Sequence, residues 1–169
     1  MKLIPEKLYK KIVTLVPLPC VDLIVVYNGK FLLGKRRIEP EAGKWWPPGG
    51  RVLIGEKLLD ATERKLKDDL GLRTGYREPK FLLTEETIFK NSKGGYVRHT
   101  VNAAYLVKLI KKPDMNFEKS GISDFSEIKW FEKINKNWHP YVRHCLEKAG
   151  FIPPHLKNRC DLLEQGGFK

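Results

Sequence analysis

GGRVLIGEKLLDATERKLKDDLGL, residues 49–72, joins a Gly-Gly turn to a charged amphipathic segment that ends at a glycine. Apolar or small side chains recur in it near the helical period of about 3.6, at Leu58, Leu59, Thr62, Leu66 and Leu70. Such a stripe predicts a helix over about residues 56–70 that packs one face on a core. Glu56 suits the positive end of the helix dipole, and Gly71 is a natural C-terminal stop.

The charged side chains of this helix suggest a cation site. Arg64 and Asp68 share one face, as do Lys65 and Asp69, because successive residues turn by about 100°. A Gly-Gly turn lets backbone carbonyls approach a ligand closely, and oxygen ligands suit Mg²⁺ or Mn²⁺. The helix alone leaves two interpretations open. It is either a solvated surface laced with charge pairs, or a set of carboxylates that hold a divalent cation against a diphosphate.

The same stretch resembles the Nudix box, the motif of hydrolases that act on nucleoside diphosphates linked to another group. The box fixes a glycine, an acid after five intervening residues, an arginine after seven more and a closing glycine, held here by Gly50, Glu56, Arg64 and Gly71. Three acidic positions differ, since Lys65 replaces one glutamate and Asp68 and Asp69 replace two others. With its spacing intact, the chain is identified as a member of the Nudix hydrolase superfamily.

The preceding residues 21–52, VDLIVVYNGKFLLGKRRIEPEAGKWWPPGGRV, are most similar to the GDP-mannose mannosyl hydrolase branch. Enzymes of that branch bind one Mg²⁺ and attack the anomeric carbon of the sugar, which releases GDP and mannose. The resemblance implies that the Gly49 carbonyl and the Asp69 carboxylate are metal ligands, with the adjacent Asp68 included in the candidate metal site. Mn²⁺ is the alternative cation, and a nucleotide sugar such as GDP-mannose is the expected substrate.

Three arginines align with the diphosphate-contacting arginines of the branch, namely Arg36, Arg51 and Arg64. A planar guanidinium can grip phosphate oxygens at two points, and positive charge placed in advance stabilises a diphosphate leaving group. For Arg64 a second interpretation is open, a salt bridge to Glu56 or Asp68 that stabilises the helix.

Asp22 interrupts the apolar segment CVDLIVV, where a charge is costly unless it is paired. One interpretation is a carboxylate on an edge strand that pairs with a neighbouring lysine or arginine. The other, which the branch supports, places Asp22 in the sugar pocket near Arg36.

The branch uses a histidine as general base in the loop before its last core strand, and the corresponding segment here, EKSGISDFSEIKW, contains none. Asp124 and Glu127 are the local carboxylates that could take a proton from water instead. Asp124 could equally cap the loop. Two further residues of the branch, a histidine and a tyrosine, align near Ile88 and Thr100 and are missing.

These departures leave three functions open. The first is Mg²⁺-dependent hydrolysis of a nucleotide sugar at its anomeric carbon, and the second is a Nudix pyrophosphatase that attacks phosphorus. The third is a non-catalytic Nudix module that binds a nucleotide or a nucleic acid. A net charge of +12 favours any anionic partner. The resemblance implies a small nucleoside diphosphate as the partner. No RNP, KH or zinc-finger pattern is found, which disfavours a nucleic acid without excluding it.

The composition predicts one globular domain in the cytoplasm. The 169 residues suffice for a single core, and no apolar run reaches the roughly 18 residues that span a membrane. Three widely spaced cysteines, Cys20, Cys145 and Cys160, predict reduced thiols. The N-terminus lacks the apolar stretch of a signal peptide. The mannosyl hydrolase branch also implies a homodimer.

The pattern along the chain predicts an α+β fold. It divides the chain into a basic N-terminal arm (1–18), a Nudix hydrolase domain (19–150) and a C-terminal tail (151–169). Asn28-Gly29 predicts a β-hairpin, residues 78–90 and 96–110 read as longer strands, and a helix follows Trp138. The resemblance implies that these elements form an α/β/α sandwich with a mixed β-sheet.

Overall fold

A computed structural model of the chain describes residues 4–90, 97–111, 113 and 124–152. Within these ranges it contains three helices, α1 (Glu6–Leu15), α2 (Leu58–Leu70) and α3 (Pro140–Lys148). It also contains seven strands, β1 (Leu18–Tyr27), β2 (Lys30–Arg36), β3 (Trp45–Trp46), β4 (Gly49–Arg51), β5 (Lys80–Phe89), β6 (Arg98–Lys108) and β7 (Phe125–Phe131). All seven strands belong to one mixed sheet.

Strand β1 is the centre of this sheet. It runs parallel to β6 from Leu18 to Val26 and antiparallel to β2 and β4. Strand β6 pairs in turn with β5, and β2 pairs with β3 and β7. Because β1 has neighbours on both sides and is covered on both faces, its segment 21–25 is buried throughout.

Helices cover the two faces of the sheet. Successive side chains of a strand point to opposite faces, and Val21 and Leu23 of β1 share a buried cluster with Leu66 of α2. Ile24 lies in the other cluster, with Val142 of α3. The predicted α/β/α sandwich with a mixed sheet is therefore confirmed.

The β1–β2 hairpin forms where the sequence predicts it. Tyr27 and Lys30 are paired, so the loop consists of Asn28 and Gly29. Both loop residues have positive φ angles, 47° and 72°, as in the two-residue turns whose twist matches that of paired strands. The turn therefore fixes the register in which β2 begins beside β1.

Helix α2 confirms the helix predicted over about residues 56–70, but it begins two residues later. It begins at Leu58, so Glu56 lies in the turn before it and Asp60 is the acid of the first helical turn. Gly71 ends the helix with a φ of 68°, the left-handed conformation that glycine adopts most readily. Leu66 is fully buried under the helix, whereas Leu58 is 42% exposed.

The predicted N-terminal arm contains helix α1, which the sequence analysis does not predict. Val13 of this helix is buried, and α1 contacts β6. A helix of ten residues is marginal by itself in water, so packing on the sheet decides its formation. The domain limits at residues 18 and 150 stay a prediction. Most of the tail, residues 153–169, lies outside the described residues.

Two other expectations concern the membrane and the cysteines. In the described part of the chain, every helix is too short or too polar to cross a bilayer. Cys20 and Cys145 are free and buried, and Cys160 lies outside the described residues. The cytoplasmic location stays a prediction.

Replacing Leu66 with alanine should lower the free energy of unfolding by about 2–5 kcal/mol, because it removes a buried side chain and leaves a cavity under α2. The matched variant Leu58→Ala, at a position on the same helix that is 42% exposed, should change it by less than about 1 kcal/mol. Urea denaturation followed by circular dichroism measures both. Equal losses would show that α2 does not pack on the sheet through Leu66.

Candidate functional site

A cleft of about 770 Å³ opens at one end of the sheet. Its walls come from α1, the first half of β1, the end of β2, β4, and the adjoining ends of β5 and β6. Five of the predicted site residues line it, namely Asp22, Arg36, Gly49, Arg51 and Asp124. The fold therefore brings these residues together from segments that are distant in the sequence.

The carboxylate of Asp69 connects helix α2 to the Gly-Gly turn beside this cleft. Its side chain is almost completely buried, and its Oδ2 accepts a hydrogen bond of 3.1 Å from the Gly49 N–H. Its Oδ1 lies 2.6 Å from the ammonium of Lys65, one helical turn earlier. Burial raises the pKa of Asp69, and the Lys65 charge opposes that rise. Asp69 thus bonds both to its own helix and to Gly49, a residue of the cleft wall, and its role as a metal ligand stays a prediction.

Residue 49 has to be glycine because the backbone of β1 lies directly against it. Strands β4 and β1 pair antiparallel, with Gly49 opposite Asp22. A Cβ atom at residue 49 would collide with the Val21 carbonyl oxygen and with the Asp22 carboxylate. Only a residue without a side chain lets β1 and the Asp69 carboxylate contact the same turn.

Glu56 and Arg64 connect the far end of this turn to helix α2. Arg64 donates two hydrogen bonds to the Glu56 carboxylate, at 2.6 and 2.9 Å, and one to the Arg51 carbonyl at 3.0 Å. Glu56 also accepts a hydrogen bond of 2.9 Å from the Leu53 N–H. The hydrogen bonds between the two charged groups lower the pKa of Glu56 and raise that of Arg64, as expected for a two-point ion pair.

The position of Arg64 favours the salt-bridge interpretation over a diphosphate contact. Arg64 is absent from the described lining of the cleft, and its guanidinium forms an ion pair with the Glu56 carboxylate. Asp68 lies 3.7 Å from Arg64 and is half exposed. Asp68 therefore pairs with Arg64 on the exposed side of α2, whereas Asp69 contacts the cleft residue Gly49.

Asp22 lines the cleft and receives a hydrogen bond from helix α3. It is 5% exposed, and its Oδ2 accepts a hydrogen bond of 2.6 Å from the Tyr141 hydroxyl. Burial raises the pKa of Asp22 to about 6, although the Tyr141 hydrogen bond and the Arg36 charge act in the opposite direction. Burial also raises the pKa of Tyr141, so the phenol stays protonated and donates. Because β1 is central in the sheet, Asp22 is not the edge-strand carboxylate of the alternative interpretation.

Arg36 and Arg51 supply positive charge to the cleft, and each stacks on an aromatic ring. The Arg36 guanidinium lies 5.9 Å from the Trp46 ring centroid, and its Nε donates to the Pro40 carbonyl at 2.6 Å. The Arg51 guanidinium lies 4.6 Å from the ring of Tyr9, which α1 brings to the cleft. Burial lowers the pKa of Arg36, but an arginine remains charged at neutral pH. Contact with an aromatic face favours a fixed orientation of each guanidinium.

A polar network on β5 and β6 lines another part of the cleft, and the sequence analysis missed it. Asn102 donates to the Thr87 hydroxyl at 3.1 Å and to the Glu85 carbonyl at 3.3 Å. The Thr87 and Thr100 hydroxyls are hydrogen-bonded to each other. The Thr87 oxygen has two lone pairs, so it can accept from Asn102 and either donate to or accept from Thr100. The network depends on the strand register, which sets Thr87 opposite Thr100. A single sequence does not fix that register.

Of the two predicted bases, the structure brings only Asp124 to the cleft. Its backbone carbonyl accepts a hydrogen bond of 2.7 Å from the Arg37 N–H. Glu127 is exposed on β7 opposite Lys35, and the described cleft lining does not include it. The register of β2 and β7 shifts between Lys35 and Arg36, so that Arg36 pairs with Phe125, next to Asp124, and Lys35 pairs with Glu127.

The donors around Asp69 fit a magnesium ion if a diphosphate completes its shell. Among the residues that the structure describes, no three His, Cys, Asp or Glu side chains are grouped as a metal site. Mg²⁺ in proteins often binds through one or two carboxylates together with water and substrate phosphates. Asp69 and the Gly49 carbonyl are oxygen donors of that kind. The Oδ1 of Asp69 already pairs with a cation, the Lys65 ammonium. A positive charge can therefore be accommodated at this oxygen.

Known proteins resemble this chain in sequence and in fold. The family model of the NUDIX domain matches residues 17–140. The low-salt glycan biosynthesis protein Agl8 of Haloferax volcanii is 35% identical over 146 residues, which are 85% of this chain and 89% of that protein. A MutT NUDIX hydrolase from Burkholderia pseudomallei has a TM-score of 0.57 and 24% identity, covering 79% of this chain and 98% of its own. The NUDIX domain of Shewanella oneidensis NrtR, solved with ADP ribose, has a TM-score of 0.61 and 20% identity, covering 87% and 97%.

Replacing Tyr141 with phenylalanine should raise the pKa of Asp22 above its value of about 6, because the change removes a hydrogen bond to the ionised carboxylate. An NMR titration of the Asp22 carboxyl carbon measures the midpoint. The control variant Tyr27→Phe, at the opposite end of β1, should leave that midpoint unchanged. A midpoint that does not move in Tyr141→Phe would show that the two side chains are not hydrogen-bonded in solution.

Proposed function

We propose, from the premise that this chain belongs to the NUDIX family, that it is a Nudix hydrolase whose substrate is a nucleotide sugar. Agl8, the relative of 35% identity, is named for glycan biosynthesis. The NUDIX domain of NrtR was solved with ADP ribose, a nucleoside diphosphate linked to a sugar. GDP-mannose is the first substrate to test, because residues 21–52 resemble the branch that hydrolyses it.

One observation carries this proposal: a single cleft is lined by two arginines, a buried aspartate and Gly49, whose N–H is hydrogen-bonded to the Asp69 carboxylate. Arg36 and Arg51 suit the two phosphates of a nucleoside diphosphate. Their charge is in place before the reaction, so little reorganisation is needed as the leaving group becomes more negative. Asp22 lies in the same cleft and suits the part of the substrate beyond the phosphates.

In this proposal Asp69 and the Gly49 carbonyl hold a Mg²⁺ ion, with Mn²⁺ as the alternative. When bound, the ion withdraws electron density from the diphosphate oxygens. Arg36 and Arg51 orient the same phosphates from the other parts of the cleft wall. Asp68 stays outside the ligand set because it pairs with Arg64 on the outer face of the helix.

The sugar is proposed to contact Asp22 and the network on β6. The Thr100 hydroxyl lines the cleft and can hydrogen-bond a ligand there, and Asp22 can accept a hydrogen bond from a sugar hydroxyl. Because its pKa is about 6, Asp22 is mostly ionised at neutral pH. A buried negative charge near the sugar would stabilise the positive charge that develops on the ring as the glycosidic bond breaks.

Asp124 is proposed to take the proton from the attacking water, because it is the exposed candidate carboxylate that lines the cleft. Attack at the anomeric carbon breaks the bond from that carbon to the diphosphate oxygen and yields a nucleoside diphosphate and a free sugar. Attack at phosphorus breaks a bond within the diphosphate and yields a nucleoside monophosphate and a sugar phosphate.

A second candidate function is binding of a nucleotide sugar without hydrolysis. It is favoured by the Lys65 ammonium on Asp69 and by a cleft whose described lining contains no histidine. Saturable binding of a nucleotide sugar in calorimetry, with no product after long incubation, would identify this function.

Incubation with a panel of nucleotide sugars and Mg²⁺ in ¹⁸O-labelled water should give a nucleoside diphosphate and a sugar that carries the label. Chromatography with mass spectrometry identifies the products and the labelled atom. Label in a phosphate, together with a nucleoside monophosphate, would show that water attacks phosphorus and not the anomeric carbon. A panel with no turnover would refute the proposed hydrolase.

Replacing Asp69 with asparagine should lower kcat/KM by roughly a hundredfold or more, because it removes the charge that holds the cation on the diphosphate. The matched variant Asp60→Asn lies in the first turn of the same helix and should keep a rate near that of the original chain. Steady-state kinetics on both variants, with circular dichroism to verify folding, is the measurement. Near-normal turnover in Asp69→Asn would refute the metal assignment.

A further inference from the structure

The ion pair between Lys65 and Asp69 occupies the oxygen that a metal would use. The Lys65 Nζ lies 2.6 Å from the Asp69 Oδ1, and the two side chains are 13% and 3% exposed. The other carboxylate oxygen, Oδ2, accepts the hydrogen bond from Gly49. Both oxygens of Asp69 are engaged, so a divalent cation gains the carboxylate most directly by replacing one of these two donors.

Of the two donors, Lys65 is the one that can move. The Gly49 N–H belongs to β4, which is paired with β1 and lies in backbone contact with Val21. Lys65 instead carries its charge on a flexible four-carbon stem. A buried carboxylate that loses its paired cation is strongly destabilised. The ammonium is therefore expected to leave Asp69 only when another cation takes its place.

Lys65 can reach the cleft past a residue that has no side chain. A Cβ atom at Gly50 would stand 3.3 Å from the Lys65 Cε and 3.5 Å from its Nζ, and Gly50 lines the cleft. The Lys65 ammonium therefore lies close to a position of the cleft wall that carries no side chain. A diphosphate held by Arg36 and Arg51 brings negative oxygens into the same space.

We propose that Lys65 is a resident cation that holds the place of the divalent metal on Asp69 until a nucleoside diphosphate binds. The diphosphate then accepts the Lys65 ammonium, and the metal gains the Asp69 oxygen. This inference rests on the proposed function, which assigns the metal to Asp69. It makes the binding of metal and nucleotide mutually dependent, so the nucleotide-free protein binds a divalent cation weakly.

Isothermal titration calorimetry on the full chain tests the inference with Mn²⁺ alone and with GDP in the presence of EDTA. The Lys65→Met variant should bind Mn²⁺ at least about tenfold tighter than the original chain, because the competing ammonium is gone. The same variant should bind metal-free GDP at least about threefold more weakly, because the diphosphate loses a cationic partner. A general loss of structure would weaken both interactions, so the opposite signs are diagnostic.

Two further variants control the experiment. Lys67→Met removes an exposed lysine of the same helix and should leave both affinities unchanged. Lys65→Arg keeps the charge and should keep weak Mn²⁺ binding, which also guards against a folding defect in Lys65→Met. Measurable but equal Mn²⁺ affinity in Lys65→Met and the original chain would overturn the inference and leave the metal site standing. Mn²⁺ affinity that is unaffected by Asp69→Asn would overturn the metal assignment itself.

Discussion

The hydrogen bond between the Asp69 carboxylate and the Gly49 peptide holds helix α2 and the sheet in one geometry, and the rest of the site takes its position from it. The turn that starts at Gly49 is tied to the helix again near its end, where Arg64 binds both Glu56 and the Arg51 carbonyl. With both ends attached to the same helix, the turn presents its backbone and Arg51 to the cleft as one rigid unit. Such support from fixed elements is what a preorganised site requires.

Two buried carboxylates lie on either side of this turn, and the protein compensates them differently. Asp69 has an ammonium partner, Lys65, at ion-pair distance. Asp22 has a neutral partner, the Tyr141 phenol, and its pKa is raised to about 6. A carboxylate paired with a cation keeps its charge, whereas one with a neutral donor can gain or lose a proton near neutral pH. The two residues are thus suited to different tasks, Asp22 in the cleft lining and Asp69 behind Gly49.

Features that depend on local sequence could be predicted, and features that depend on long-range register could not. The Asn28-Gly29 hairpin and the box helix follow from turn preference and apolar period. Arg64 shows the limit, because its spacing suits either a phosphate or Glu56 and only the folded turn decides. The Tyr141–Asp22 hydrogen bond joins residues that are 119 positions apart, and no pattern in the sequence links them. The position of Glu127 outside the described cleft lining could not be predicted, because a one-residue shift in strand pairing changes the face on which a side chain lies.

Tyr9 and Tyr141 both lie outside residues 17–140, the span that matches the family model. Tyr9 supplies the ring on which Arg51 stacks, and Tyr141 supplies the proton that bonds Asp22. A fragment trimmed to the family limits would keep every box residue and lose both of these partners. Exchange of the flanking helices between relatives could therefore retune the charge of the cleft, and with it ligand preference, while the diagnostic motif remained untouched.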